Sequence, residues 1–233
     1  LHPAVHAGLL AKRDNAEHMR RLKELKIQTI DVVIVNLYPF KQTVMSGKGF
    51  DEVVENIDIG GPTMLRSAAK NSGDVVVLTD PADYEKALSE LEAGEVSRET
   101  RLYLMYKVYA HTAAYDSMIS AYLAKKLGID FPDSLTLAFE KKEQLRYGEN
   151  PFQQAALYTD MFPVSNSIVN ARQENGKQLS YNNLNDSNGA IELLKEFDEP
   201  TVVAVKHSNP CGVASGATIA EAYRKAYACD PVS

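Results

Sequence analysis

The sequence has no tryptophan, only two cysteines and no long apolar segment. Cys211 and Cys229 are too few for a disulfide framework and lack a second Cys-x-x-Cys pair for zinc, so we expect both to be small core residues. No apolar run approaches the roughly 20 residues that cross a bilayer, and Leu1-His2-Pro3 does not begin like a signal peptide. These absences favour a globular, cytoplasmic protein without a structural metal.

Basic residues are also few, with 25 Lys and Arg against 31 Asp and Glu and a net charge of -6. This balance argues against a nucleic-acid-binding protein, because phosphate backbones are held by clustered Lys and Arg. Anionic small molecules could still bind through local positive charge. The 233 residues, 45% of them hydrophobic, suffice for one large core or two modest ones.

Runs of β-branched residues alternate with helical patterns, which is typical of an α/β fold with a mainly parallel sheet covered on both faces. The sequence predicts strands at Val32–Leu37, Val75–Leu78 and Thr201–Val205. The predicted helices are Ala16–Lys26, Ala82–Leu91, Arg98–Leu127, Ser187–Phe197 behind an Asp186 cap, and one opened by Thr218 with Glu221 in capping-box spacing.

The continuity of the long helix and the position of the domain boundary are two further points on this organisation. A break in the long helix near residues 111–116 is an open alternative to a continuous helix. Pro132 and the polar residues after it predict a domain boundary, giving domains 1–132 and 133–233. Because the chain begins at Leu1 and ends just after a predicted helix, we expect a fragment truncated at both ends.

The first candidate site follows the first predicted strand, because ligands of parallel sheets gather beyond the carboxyl ends of the strands. Asn36–Phe40 can present polar groups there, and Asn56–Thr63 sets Asp58 before two glycines that begin a helix. Arg66 and Lys70 then fall on one helix face at i, i+4 spacing. A strand end with an aromatic staple and a solvated basic face are the structural alternatives.

The second candidate site is Thr201–Gly212, where an apolar strand delivers Lys206 and His207 into a loop containing Pro210 and Gly212. Histidine titrates near neutrality and can act as a general base, while a neighbouring ammonium can stabilise an oxyanion. If the strand continued, the two side chains would point to opposite faces, so the loop must turn them together. A structural histidine is the alternative.

Two further polar segments precede that strand. Arg146–Pro151 combines a guanidinium, suited to phosphate, with the ring of Tyr147, which can stack on a heterocycle; a turn between domains is the alternative. Asn182–Asp186 is interpreted first as turn chemistry, with a ligand role secondary.

The segments that carry a family resemblance are, in chain order, Leu1-His2-Pro3, Asn36–Phe40, Asn56–Gly61 with Ser67–Asn71, Arg146–Pro151, and Lys206–Gly212. They cover essentially the whole chain and resemble the bifunctional purine-biosynthesis family, whose members join a formyltransferase acting on aminoimidazole carboxamide ribonucleotide (AICAR) to an inosinate (IMP) cyclohydrolase. The resemblance implies a methylglyoxal-synthase-like domain followed by the start of a cytidine-deaminase-like formyltransferase domain.

The resemblance also implies residue roles. Lys70 would donate and accept protons in ring closure with help from Asp58 and Tyr38, and His207 would be the base of formyl transfer with Lys206 at the oxyanion. The implied substrate-binding residues are Asn36, Leu37, Asp58, Ile59, Arg146, Tyr147 and Asn209. The co-substrate would be 10-formyltetrahydrofolate, no metal would be needed, and the protein would be a homodimer.

Family members also carry a phosphate-binding segment and a Lys-Thr pair before the Leu-His-Pro motif, and a folate-binding half after Asp-Pro-Val-Ser. We therefore expect this chain alone to be weakly active or inactive. A non-catalytic nucleotide-binding or regulatory module is an alternative function. A zinc deaminase is disfavoured, because Pro210-Cys211 is followed by Gly212, Val213 and Ala214 and not by a second cysteine.

Overall fold

The computed structural model describes residues 2–162 and 165–233, and Leu1, Pro163 and Val164 lie outside the described residues. Leu1 of the Leu-His-Pro motif is therefore without a structural account. The chain divides into two compact units, Leu1–Ala138 and Phe139–Ser233. The boundary predicted at Pro132 lies shortly before this division.

Helices dominate the first unit. Its strands are β1 (Val32–Ile34) and β2 (Val76–Leu78), and its helices are α1 (Pro3–Leu10), α2 (Ala16–Glu24), α3 (Phe40–Met45), α4 (Phe50–Glu55), α5 (Gly60–Lys70), α6 (Tyr84–Glu92) and α7 (Arg98–Leu127). The His2 side chain accepts a hydrogen bond from the N–H of Ala4, and Pro3 occupies the first turn of α1, where its missing N–H costs nothing. The histidine and proline of the Leu-His-Pro motif therefore start a helix.

Strands β1 and β2 are parallel, with Val33 opposite Val77. Both valines belong to a buried cluster completed by Leu9, Leu65, Ala68, Ala69, Val75 and Val108. All of β2 is buried, but Val32 and Ile34 of β1 are 41% and 55% exposed. The prediction that both faces are covered is therefore wrong for β1, since strand alternation turns these two side chains away from the core.

Strand β1 is also shorter than the predicted Val32–Leu37. The N–H of Val35 still donates to the carbonyl of Leu78 at 3.0 Å, but the regular pairing stops at Ile34. The polar and proline-containing residues that follow lead into α3 instead of extending the strand. This early end brings the Asn36–Phe40 segment to the carboxyl edge of the sheet.

Helix α7 is continuous from Arg98 to Leu127, and the alternative with a break is not observed. The Ser97 hydroxyl accepts from the N–H of Thr100, and Gly128 ends the helix in the left-handed conformation, at φ 65°. Val108, Tyr115 and Met118 are among its buried residues. The helix therefore presents one face to the core over most of its length.

The second unit has its own helices and strands. They are β3 (Phe139–Gln144), β4 (Ala156–Asp160), α8 (Tyr181–Leu194), β5 (Thr201–Lys206), β6 (Asn209–Ser215) and α9 (Ile219–Cys229). Strand β3 pairs with β4 and β5 with β6, both antiparallel. Helix α9 packs on β5 and β6, and α8 packs mainly on β5.

The antiparallel pairing corrects the prediction for the segment after Lys206. That segment was predicted as a loop, but residues 209–215 form β6, and the strands are joined by His207 and Ser208 alone. A two-residue connection can only produce a hairpin, whereas a parallel partner needs a long crossover. The strand predicted at Thr201–Val205 exists, but its neighbour is antiparallel.

The start of α8 was also predicted wrongly, at Ser187 with Asp186 as the cap. The helix begins at Tyr181 behind Ser180, whose hydroxyl accepts from the N–H of Asn183 while the Asn183 side chain accepts from the N–H of Ser180. This reciprocal capping starts the helix at Tyr181 and not at Ser187, more than one and a half turns earlier than expected. The Asn-rich segment is therefore helical and not a turn.

Helix α9 begins as predicted behind Thr218, whose hydroxyl accepts from the N–H of Glu221. The Glu221 carboxylate accepts from the N–H of Ala217 and not from Thr218, so the predicted capping box is only half formed. Cys211 is partly buried, but Cys229, the last residue of α9, is exposed, so the prediction that both cysteines lie in a core is wrong for Cys229. Across residues 2–162 and 165–233, no helix is both long and apolar enough to cross a bilayer.

Candidate functional sites

A cleft of about 770 Å³ opens in the first unit where α5 begins. Of the residues predicted to form a site, it is lined by Tyr38, Asp58 and Ile59. The rest of its wall consists of Val35, Val54, Glu55, Ile57, Gly60, Gly61 and Met64. The Tyr38 and Ile59 side chains are 57% and 62% exposed, so a ligand in the cleft could contact both.

The Asp58 carboxylate connects two segments of this cleft. Its Oδ1 accepts from the N–H of Gly61 at 2.8 Å, and its Oδ2 accepts from the N–H of Tyr38 at 3.2 Å. The first bond satisfies an N–H in the first turn of α5, where the helix dipole also favours a negative charge. Asp58 therefore has a structural role that the sequence reasoning did not assign to it.

Tyr115 of α7 supports Asp58 from behind. Its hydroxyl accepts from the N–H of Asp58 at 2.9 Å and donates to the carbonyl of Asn56 at 3.2 Å, and the side chain is buried. Burial raises the pKa of the Tyr115 hydroxyl, and the nearby charges of Asp58 and Asp116 raise it further. The hydroxyl therefore keeps its proton at neutral pH and can donate to Asn56.

Asn36 and Leu37 lie at the sheet edge but do not line the cleft. The Asn36 amide donates to the carbonyl of Thr79 beyond β2 and accepts from the Tyr84 hydroxyl at 3.4 Å. Leu37 packs against the core of the first unit. The Asn36 side chain thus links the segments that follow β1 and β2. The Leu37 side chain lies next to Gly61 in the first turn of α5.

Lys70 lies at the opposite end of α5 from Asp58, and its side chain is exposed. A helix of this length separates its two ends by about 15 Å at roughly 1.5 Å per residue. One turn before Lys70, the Ser67 hydroxyl bonds Nδ1 of His6 at 2.9 Å. Arg66 is exposed as well, with its guanidinium 5.2 Å from the ring centre of Tyr109. The structure therefore gathers Tyr38, Asp58 and Ile59 but does not bring Lys70 to them.

In the second unit, Arg146 and Tyr147 contact each other. The guanidinium lies 4.7 Å from the centre of the Tyr147 ring, and one of its nitrogens donates to the Tyr147 hydroxyl at 3.1 Å. Their backbones run beside the start of α8, because Arg146 donates to Leu179 and Tyr181 donates to Tyr147. The guanidinium is exposed and could meet an anion.

The other predicted catalytic residues lie at the tip of the β5–β6 hairpin. Lys206 and Asn209 form its last pair, and His207 and Ser208 form the turn. Lys206, His207 and Asn209 are exposed, and the Asn209 amide donates to the carbonyl of His207 at 2.8 Å. Lys206 and His207 are thus neighbours at the tip of the hairpin, and the expectation that the turn brings their side chains together stays a prediction.

Side chains from the first half of α8 contact both the Arg146–Glu149 segment and the tip of the β5–β6 hairpin. The Asn182 amide donates to the carbonyl of Glu149 at 2.9 Å, which fixes the loop after Tyr147. One turn later, Asn185 and Asp186 bond Ser208 in the hairpin turn. A single helix therefore fixes both the Arg146–Glu149 segment and the His207 turn.

Sequence reasoning missed the roles of Asn182, Asn185 and Asp186. Their signal was the i, i+3 and i, i+4 spacing, which places all three side chains on one helix face. Asn and Asp are also typical of turns, and this composition hides the helical spacing unless the helix is known to begin behind Ser180.

These features define an α/β protein whose two units each collect polar side chains at strand ends and helix starts. Residues 68–233 match the family model for the AICARFT/IMPCHase bienzyme, and residues 5–63 match that for the MGS-like domain. The bienzyme match begins inside α5 and continues through the second unit. The chain therefore belongs to the AICARFT/IMPCHase bienzyme family.

The chain is also similar to curated proteins over its full length. It is 58% identical to the bifunctional purine biosynthesis protein PurH of Ruminiclostridium cellulolyticum and 59% identical to that of Acetivibrio thermocellus. The PurH of Bacillus mycoides is 56% identical. Each match covers 100% of this chain and 46% of the relative, so the chain spans about half the length of these proteins.

Among solved structures, the crystal structure of ForH matches 52% of this chain and 63% of its own, at 36% identity and a TM-score of 0.44.

Proposed function

We propose that the protein carrying this chain transfers a formyl group from 10-formyltetrahydrofolate to AICAR and closes the product, FAICAR, to IMP with loss of water. Identities of 56% to 59% with PurH proteins over the whole chain support this activity. The observation that carries the site is that α8 fixes both the Arg146–Glu149 segment and the His207 turn. We assign ring closure to domain 1–132 and the AICAR part of formyl transfer to domain 133–233.

In formyl transfer, the amine of AICAR attacks the formyl carbon, and the bond from that carbon to N10 of the folate then breaks. His207 removes the proton that the amine loses, and this proton is returned to N10. Lys206 stabilises the negative oxygen of the intermediate. Arg146 and Tyr147 hold the ribonucleotide with Asn209 beside it, since a guanidinium suits phosphate and a ring suits a heterocycle.

In ring closure, the carboxamide nitrogen of FAICAR attacks the formyl carbon, and the formyl oxygen leaves as water. Lys70 donates and accepts the protons, with Tyr38 and Asp58 beside the reacting groups. Ile59 is assigned to the nucleotide pocket from within the cleft, whereas Asn36 and Leu37 do not line the cleft and would have to reach the nucleotide from the neighbouring sheet edge. The exposed Tyr38 and Ile59 side chains in the cleft support this assignment, whereas Lys70 lies at the far end of α5 and must be reached by a long substrate or by a change in structure.

The substrates are small molecules, and 10-formyltetrahydrofolate is consumed as a co-substrate. The proposed chemistry uses side chains alone, without a metal. We further propose a cytoplasmic homodimer, with no nucleic-acid or membrane partner.

Two substitutions in the full-length protein test the division of labour. His207→Ala should abolish most formyl transfer, measured with AICAR and the folate, and should leave cyclisation of supplied FAICAR intact. Lys70→Ala should do the reverse. Each reaction is assayed separately, because a coupled assay would hide which step had changed.

The matched controls are His18→Ala and Lys23→Ala, which replace exposed residues of α2. Both should leave the two rates within a factor of about two. Formyl transfer that persists in His207→Ala would contradict the base assignment. Tight binding of IMP without turnover in the unaltered protein would favour a regulatory module instead.

A further inference from the structure

The turn that carries His207 has an unusual backbone. His207 and Ser208 have φ values of 53° and 61°, in the left-handed region. Non-glycine residues rarely adopt this conformation, and two-residue hairpin turns of this kind favour Asn-Gly for that reason. A His-Ser turn therefore needs contacts from outside the hairpin to keep it in place.

Helix α8 provides those contacts. The Oδ1 atom of Asp186 accepts from the N–H of Ser208 at 2.8 Å and from its hydroxyl at 3.2 Å. The Asn185 amide donates to the same hydroxyl at 2.7 Å. Gly189, on the same helix face, lies beside the turn, and a Cβ there would make an ordinary contact of 3.4 Å with the carbonyl oxygen of Ser208.

The His207 ring depends on this support. It is exposed, and among the described residues it has no hydrogen-bond partner of its own. The backbone of residues 207 and 208 therefore sets the direction of the Cα–Cβ bond from which the ring extends. A general base must lie within hydrogen-bond reach of the proton that it removes, so the backbone of the turn controls the base.

We propose that Asp186, assisted by Asn185, is the positioning residue that holds His207 in its reactive orientation during formyl transfer. The proposal rests on the function proposed above for His207. Asp186 acts through Ser208 and contacts no substrate. Aspartate is a poor helix former inside α8, so its contribution at this position comes from its contact with the hairpin.

The test uses the full-length protein with Asp186→Ala, Asp186→Asn and the double variant Asp186→Ala/Ser208→Gly. Asp186→Ala should lower kcat for formyl transfer by about 10- to 100-fold with little change in KM for AICAR, since only the alignment of the base is lost. Asp186→Asn keeps an Oδ1 acceptor and should retain most of kcat. Glycine adopts positive φ without support, so Ser208→Gly should restore part of the kcat lost in Asp186→Ala.

The control is Asp198→Ala, an exposed carboxylate of the same unit, with a normal kcat expected. Circular dichroism and thermal unfolding check that each variant is folded, and the FAICAR cyclisation rate checks that the reaction assigned to domain 1–132 is unaffected. An unchanged kcat in Asp186→Ala would overturn the proposal, as would a failure of Ser208→Gly to restore any activity to a folded Asp186→Ala.

His207→Ala in the same series separates the positioning role of Asp186 from the role of His207 as the base. If His207→Ala loses formyl transfer while Asp186→Ala does not, only the positioning role of Asp186 is wrong. If His207→Ala keeps formyl transfer, the assignment of His207 as the base is itself wrong.

Discussion

The Oδ1 atom of Asp58 accepts a 2.8 Å hydrogen bond from the N–H of Gly61, and this contact leaves no space for a side chain on the glycine. A Cβ at position 61 would lie 2.7 Å from Oδ2 of Asp58 and 2.7 Å from Cδ2 of Leu37. An alanine at position 61 would therefore require the Asp58 carboxylate and the Leu37 side chain to move. Asp58 and Gly61 both line the cleft, so this contact shapes its wall.

Gly61→Ala should displace Asp58, because the new methyl group overlaps the carboxylate. We expect a loss of about 1–3 kcal/mol in the free energy of unfolding, typical of an added methyl group in a packed site. The rate of FAICAR cyclisation should fall by about tenfold, since a shift of roughly 1.4 kcal/mol in the barrier has that effect. Denaturant unfolding and a cyclisation assay measure the two effects.

Gly60→Ala is the matched control, because a Cβ at position 60 would meet no atom within 4 Å. Alanine is also the better helix former by about 1 kcal/mol, so this variant should be as stable as the parent or more so. Equal damage from both substitutions would contradict the role given to the contact between Asp58 and Gly61.

Tyr115→Phe removes the hydroxyl that joins Asp58 to Asn56 and leaves a partly buried N–H and carbonyl without this partner. The expected cost is about 0.5–1.5 kcal/mol in the free energy of unfolding, the usual net contribution of a hydrogen bond. Tyr106→Phe on the same helix, where the side chain is 66% exposed, should change stability by less than about 0.5 kcal/mol. The result would contradict this account if Tyr115→Phe matched the control in both stability and cyclisation rate.

Much of the first unit was predictable because its signals are local. The cap at Ser97 and the glycine at Gly128 bound α7 correctly, and the apolar run at Val75–Leu78 marked a buried strand. The signals failed where pairing decides the outcome. Nothing in the sequence of β5 alone tells whether its partner is parallel or antiparallel, and β3, rich in charged residues, has no strand-like pattern at all.

The candidate sites show the same limit. The positions of the predicted strands along the chain indicated candidate sites in the segments that follow β1 and β5. Of the residues predicted for the first site, the structure places Tyr38, Asp58 and Ile59 in one cleft. The contact between Asp186 and Ser208, which lie 22 residues apart, depends on how α8 packs on β5. Such packing contacts follow from the folded arrangement and not from a local pattern, so the helix face that supports His207 was missed.

Gly212→Ala tests the packing of α9 against the hairpin. A Cβ at position 212 would lie 2.2 Å from the carbonyl oxygen of Ala226, so strand β6 and α9 would have to separate. We expect a loss of more than about 2 kcal/mol in the stability of the second unit, at the upper end for an overpacked core. Gly189→Ala, which makes only ordinary contacts, should be tolerated. Similar thermal unfolding of the two variants would contradict the close approach.

His111 of α7 should make the stability of the first unit depend on pH. Burial lowers the pKa of its imidazole, the Lys107 ammonium lowers it further, and the Asp80 carboxylate acts in the opposite direction. Because the unfolded chain, with a histidine pKa of about 6.5, binds the proton more tightly than the folded protein, the free energy of unfolding should fall as the pH drops through and below this value.

His111→Gln cannot take up the proton, so its unfolding free energy should fall less steeply between pH 7.5 and about 5.5. The measurement is denaturant unfolding of both proteins at several pH values, because comparing slopes cancels the contribution of the other four histidines. Parallel slopes would show that His111 takes up its proton equally well in the folded and unfolded states.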